Sequence, residues 1–117
     1  MARVLVVEDD RVLGGLLQAA LEAEGYEVVV SRSEELPFPG QTFHAVVVDV
    51  ARAGADPAAL VRRLFVLYGS PVVPVRLARP WQGERGPSSP HGLEGLLARL
   101  RSVAAPRRSH PPNGTRG

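Results

Sequence analysis

The residues best placed to do chemistry are acidic. Glu8, Asp9 and Asp10 stand in a row directly after the apolar run Val4 to Val7, and Asp49 closes a second run, His44 to Val50 (His-Ala-Val-Val-Val-Asp-Val). If the two runs are adjacent strands, three or four carboxylates meet at one edge, and they repel one another unless a cation sits among them. Hard oxygen ligands with open positions suit Mg2+, which keeps several waters and commonly holds a phosphoryl group. A spare aspartate in such a setting could act as a nucleophile towards phosphorus, forming an aspartyl phosphate. The competing reading has the same acids merely capping helices and solvating strand ends, and it fits Asp10 well.

Composition removes several other chemistries. All fourteen cations among the 117 residues are arginine, so a Walker A phosphate loop, a Schiff base and a lysine base are excluded. The absence of both Lys and Ile reads as codon bias in a GC-rich genome. With no Cys there are no disulfides, thiolate metal sites or thiol nucleophiles. His44, His91 and His110 do not pair at metal-ligand spacing. No His and Asp are arranged around Ser70, Ser88 or Ser89 for a hydrolase.

The net charge of +2 conceals an asymmetry. Residues 1–50 carry three arginines against nine acids, a net of −6, and residues 51–117 carry eleven against three, a net of +8. An acidic site in the first half and a basic surface or tail in the second follow. Arg99, Arg101, Arg107, Arg108 and Arg116, with no acid after Glu94, raise nucleic-acid binding as a possibility. Without a groove-reading motif, a solvated basic tail is the preferred reading. No apolar run approaches the ~20 residues of a membrane span, and the start runs straight into acids, unlike a signal peptide. A cytoplasmic protein is expected.

The elements that must position these residues read as follows. Val4 to Val7 is a strand buried on both faces. From Arg11, apolar residues at Val12, Leu13, Leu16, Leu17, Ala20 and Leu21 predict a helix with Asp10 as N-cap and Gly25 as its stop. Gly14 and Gly15 weaken that helix by about 1 kcal/mol each relative to Ala. Tyr26 to Val30 is a second strand and His44 to Val50 a third. Between them Ser33 to Leu36 could form one turn before Pro37, Pro39 and Gly40 end it.

Asp56 and Pro57 open a further helix, with Leu60, Val61, Leu64, Phe65 and Leu67 inward and Gly69 at its end. Pro71 to Val75 is a short strand that Pro74 assigns to an edge. Residues 76–92 read as loop, and Leu93, Leu96, Leu97, Leu100 and Val103 as a final helix. The order gives an α/β, doubly wound parallel sheet over residues 1–105, followed by a disordered basic tail over 106–117. In such sheets ligands bind beyond the carboxyl ends of the strands, at the switch point.

Arg3 to Val28 (Arg-Val-Leu-Val-Val-Glu-Asp-Asp, then Leu-Glu-Ala-Glu-Gly-Tyr-Glu-Val) resembles the opening of a bacterial response-regulator receiver domain. Phe43 to Val50 resembles that family's phosphoacceptor strand. The likeness covers residues 3–75 well and the final helix loosely. It implies a flavodoxin-like fold, and it makes Glu8 and Asp9 the Mg2+-binding acid pair and Asp49 the phosphoacceptor. Ala51 becomes the residue whose main-chain carbonyl completes the metal shell. The implied protein is a signalling component rather than an enzyme, with a histidine kinase or another signalling protein as partner.

The departures are specific. Ala53 and Pro57 occupy the places of the family's proline and glycine after the phosphoacceptor strand. Arg76 stands where the family has its switch Thr or Ser, and Arg79-Pro80-Trp81 is the best counterpart of its Lys-Pro-aromatic. On the order of 20 residues, a helix, a strand and their connections, are missing between the two. The expected fold is therefore truncated to four strands, with a reduced second helix, no fourth helix, and either the fourth or the fifth strand retained.

Arg76 or Arg79 could hold Asp49 in a fixed ion pair, or point into solvent. Two functions follow: a stand-alone degenerate receiver phosphorylated at Asp49, or a phosphorylation-independent pseudo-receiver serving as an interaction module. In the second, one sheet face covered mainly by the helix at 57–68 leaves apolar sheet surface and an unprotected strand edge, which predict a homodimer or an obligate partner.

Overall fold

The structure, a computed structural model, describes residues 2–52, 56–77 and 90–105. The side chains of 52 and 90–92 are not among the described features. Arg79, Pro80 and Trp81, the loop from residue 78 to 89, Ala53 and the tail from 106 lie outside the described residues.

The elements follow the order β1 (Arg3–Val7), α1 (Arg11–Ala23), β2 (Glu27–Ser31), β3 (Ala45–Asp49), a 3-10 turn (Val50–Arg52), α2 (Pro57–Tyr68), β4 (Val72–Val75) and α3 (Pro90–Val103). The strands form one parallel sheet in the order β2-β1-β3-β4. In the flavodoxin-like order a fourth strand lies beside the third and a fifth beyond it. The strand at 72–75, paired directly with β3, therefore occupies the fourth position.

Strand alternation divides the core. Val4 and Val6 of β1, Ala45 and Val47 of β3, and Val73 and Val75 of β4 pack with Leu13, Leu17 and Leu21 of α1 and Leu96 and Leu100 of α3. Leu5, Val7, Val46 and Val48 face the other way, onto Leu64 of α2 and Phe43. All eight residues of β1 and β3 named here are buried, which is why both strands read as unbroken apolar runs.

The caps fall where the sequence puts them. Asp10 Oδ1 accepts from the N–H groups of Val12 and Leu13 at 2.9 and 3.1 Å, satisfying two donors at the start of α1. Asp56 accepts from Ala59 N–H at the start of α2, and Gly69 ends that helix at φ 66°, a left-handed conformation that suits glycine. Ser70 Oγ, buried at the next residue, donates to the Phe43 carbonyl.

Three expectations need correction. Val12 and Leu16, counted in the apolar spacing of α1, are exposed, and so is Phe65 of α2, expected on the inner side. Their apolar stripes are wider than the faces the sheet can cover, and Leu64 is the one α2 residue fully inside. The second sheet face is not left open beneath α2. Residues 32–44, which form no helix, lay Leu36 and Phe43 over it. That segment is pinned by Tyr68, whose hydroxyl donates to the Pro37 carbonyl at 2.6 Å and whose ring meets Phe43 edge to face at 5.4 Å.

The β4 edge is also less open than expected. Val46 N–H donates to the Pro71 carbonyl at 2.9 Å, so residues 71, 73 and 75 turn towards β3. Pro74 then faces the outer edge, where its missing N–H costs no ladder bond and blunts the strand against further pairing.

Candidate functional site

The site lies at the carboxyl ends of the two inner strands. Val7 pairs with Val48, so Glu8 and Asp49 are the next residues outward on neighbouring strands. Both are buried, at 3% and 5% exposure, as is Asp10. Burying carboxylates costs free energy unless donors or cations compensate, and each acid has a specific role here.

Glu8 Oε2 accepts from Asp10 N–H at 3.0 Å, beneath the start of α1. The close passage of the helix depends on Gly14. A Cβ there would stand 3.2 Å from Val30 Cγ1 and 3.7 Å from Glu8 Cγ. In the sequence Gly14 signals only a weakened helix; its packing role becomes visible once Glu8 and Val30 are placed.

Asp49 Oδ1 accepts from Ala51 N–H at 2.9 Å and, more weakly, from Leu77 N–H at 3.4 Å. The chain just past β4 thus reaches Asp49 through its backbone. Arg76, one residue earlier, is exposed, and no ion pair joins it to Asp49 among the described residues. Arg79 lies outside the described residues.

Asp9 departs most from expectation. Its Oδ1 accepts from Ser33 N–H at 2.7 Å and its Oδ2 from Ser33 Oγ at 2.9 Å. Ser33 is brought there because the β1–β2 ladder continues for one more bond, from Glu8 N–H to the Ser31 carbonyl at 2.9 Å. In the strand order β2 and β3 flank β1, so Asp9 is drawn to one side of β1 while Asp49 stands on the other. The sequence offered no signal for this, because Ser33 belongs to a segment without periodicity.

These donors suit a hard divalent cation in kind. Glu8, Asp9 and Asp49 supply carboxylate oxygens from adjacent strand ends, and Ala51 adds a main-chain carbonyl close to Asp49. Their arrangement is incomplete: among the described residues no three His, Cys, Asp or Glu side chains are gathered in ligating geometry.

The other sequence candidates are dispersed. Arg99 is exposed, and Arg101 pairs with Glu24 at 3.1 Å across α3 and the end of α1. Arg107, Arg108 and Arg116 lie outside the described residues. His44 is a structural residue whose Nδ1 accepts from Arg3 N–H at 2.9 Å. Among the described residues no helix is long and apolar enough to cross a membrane.

Comparison with known proteins agrees with this geometry. No family model matches the chain. A stretch of 72 residues is 39% identical to the transcriptional regulatory protein AruR of Pseudomonas aeruginosa, covering 55% of this chain and 30% of that protein. The chain thus matches less than a third of the length of that relative. Among solved structures, the non-phosphorylated HemR receiver domain from Leptospira biflexa superposes with a TM-score of 0.63 at 26% identity, over 95% of this chain and 100% of that one. The complex of histidine kinase ThkA with response regulator TrrA contains a chain that matches with a TM-score of 0.67 at 18% identity, over 88% and 98%. That likeness concerns the fold alone. Strand order, acids at the ends of β1 and β3, and sequence likeness agree: the chain has a shortened receiver-type fold and resembles the receiver domains of response regulators.

Proposed function

We propose that this protein works in phosphorelay signalling as a receiver module, with Asp49 as the residue that accepts a phosphoryl group. The observation that carries this reading is the placement of Asp49 at the end of inner strand β3, next to Glu8 and held by Ala51 N–H. An Asp49 carboxylate oxygen attacks phosphorus, the new O–P bond forms, and the donor's leaving group departs with the bonding electron pair. The backbone N–H groups of Ala51 and Leu77, which now donate to Oδ1, fix the orientation of the carboxylate. A Mg2+ ion held by Glu8, Asp9, Asp49 and the Ala51 carbonyl would neutralise charge on the phosphoryl oxygens.

A histidine kinase is the proposed donor, as in the ThkA–TrrA complex, whose TrrA-type fold this chain shares. The proposed setting is cytoplasmic. Arg76 and Arg79 replace the hydroxyl and ammonium that read the phosphate in the family, and guanidinium is a poor substitute for either. The output is accordingly degenerate.

Incubation with Mg2+ and a small acyl phosphate, followed by intact mass, tests the reading. One added phosphoryl group in the wild type and none in Asp49→Asn is the expected result. A wild type that stays unmodified across a Mg2+ series overturns it.

One observation favours a second reading, a phosphorylation-independent interaction module. A cleft of about 520 Å3 lies between α2 and the β4 edge, lined by Val61, Arg62, Phe65, Val66, Pro71 and Val72. Val66 is 80% exposed, and contiguous apolar surface of this kind marks interfaces. A homodimer or an obligate partner would cover it. Light scattering that finds only monomer at high concentration would count against the homodimer.

A further inference from the structure

We propose that Ser33 competes with a divalent cation for Asp9, so that metal occupancy and the Asp9–Ser33 tie exclude each other. The inference rests on the reading of Glu8, Asp9 and Asp49 as a cation site.

Both oxygens of Asp9 are engaged by one residue. The N–H group of Ser33 meets Oδ1 at 2.7 Å and its hydroxyl meets Oδ2 at 2.9 Å. Hydrogen bonds to an ionised carboxylate are shorter and stronger than those between neutral groups, and two from one partner also fix the plane of the acceptor. The pair sits on the β2 side of β1, and Asp49 is on the β3 side. A cation drawing on both Asp9 and Asp49 needs the Asp9 carboxylate to turn across β1, which releases Ser33 Oγ and N–H together. The cost of breaking that tie is subtracted from the intrinsic affinity for metal, as in any equilibrium between two exclusive partners.

The release has a direction. Ser33 begins the segment that runs through Leu36, whose side chain joins the core on the second face, and Pro37, whose carbonyl is bound by Tyr68. The turn at its start is closed by Glu35 N–H donating to the Arg32 carbonyl at 3.0 Å. Loss of the Asp9 anchor frees the near end of this segment while Tyr68 keeps hold of the far part. Occupancy at the acids is thereby coupled to mobility at residues 33–36, on the side of the molecule away from β4.

Mn2+ binding, read by the loss of the free-ion paramagnetic resonance signal, tests the competition on the full chain without any phosphoryl transfer. Wild type, Ser33→Ala, Asp9→Asn and the double variant are compared, with circular dichroism confirming that each is folded. Removing the hydroxyl is expected to tighten Mn2+ binding by roughly tenfold, the equivalent of one net hydrogen bond. The gain should vanish in the double variant. Hydrogen exchange at the Ser33 amide should quicken when Mn2+ is added to the wild type and stay unchanged in Asp9→Asn.

The two failures are distinct. If Asp9→Asn weakens binding but Ser33→Ala matches the wild type, the cation site stands and the competition is overturned. If no variant and no wild type binds Mn2+, both the competition and the cation site are overturned.

Discussion

The Tyr26 hydroxyl donates to the Ala104 carbonyl at 2.7 Å in a buried setting, joining the start of β2 to the end of α3 across 78 residues of sequence. The Arg101–Glu24 ion pair lies on the surface nearby, where such pairs contribute little. Among the described residues the tyrosine bond is thus the buried polar fastening of α3 to the rest of the domain.

Tyr26→Phe should lower stability by about 1 kcal/mol at neutral pH, the usual net value of such a bond. Burial raises the Tyr26 pKa above its ordinary value of 10.0, with Arg101 opposing and Glu24 adding to the shift. A group with a raised folded-state pKa contributes stability that is complete below the unfolded value and lost as pH climbs through the folded one. Urea melts should therefore show the wild type weakening above about pH 10 and the Phe variant weakening less. A residual alkaline loss is expected from Tyr68, which burial shifts in the same direction. Equal pH slopes in both proteins would contradict the assignment.

Leu64→Ala should destabilise the domain by roughly 2–5 kcal/mol, because Leu64 is the fully buried contact of α2 with the sheet. Phe65→Ala, one residue on and 56% exposed, should change stability by no more than about 0.5 kcal/mol. Denaturant midpoints for the two variants give the comparison, and a large cost for Phe65→Ala in a monomer would show that α2 packs differently.

Adjacent glycines in α1 should respond differently to the same change. A Cβ at Gly15 meets nothing within 4 Å, so Gly15→Ala should stabilise by about 0.5–1 kcal/mol through helix propensity and chain entropy. At Gly14 the same gain is offset by the 3.2 Å approach to Val30 Cγ1. Thermal melting should place Gly14→Ala below Gly15→Ala, and the reverse order would refute the close packing of α1 over Glu8 and Val30.

Asp10→Ala removes the acceptor for two N–H groups and should cost about 0.5–2 kcal/mol. Asp10→Asn should recover most of it, since an amide oxygen also caps. Failure of Asn to rescue, measured by urea unfolding, would mean that the charge of Asp10 matters more than its hydrogen bonds.

Most of the scaffold was legible because it obeys simple periodicities. The unbroken apolar runs of β1 and β3, Asp10, Asp56 and Gly69 as caps, and Pro74 at an edge all appear in the structure where the chain pattern places them. What stayed hidden depends on neighbours distant in sequence. Val12, Leu16 and Phe65 fit helical spacing, yet the sheet is too narrow to cover them. Leu36 and Phe43 lie in a stretch with no repeating pattern, so their covering of the second face could not be read. The acids were found by type and position, but the turn of Asp9 towards Ser33 arises from strand order and from one extra bond of the β1–β2 ladder.

Glu8 and Asp49 are carried by the interior strands of the sheet, whereas Leu77, which donates to Asp49, follows the outermost one. Interior strands open only when the whole domain unfolds, and edge strands fray on their own. Asp49 therefore stands on the firmer side of this pair, and the four-residue edge strand beside it is expected to open more readily. Events that change the surroundings of Asp49 should register first in the amide exchange of Val75 and Leu77, with Val47 and Val48 unmoved.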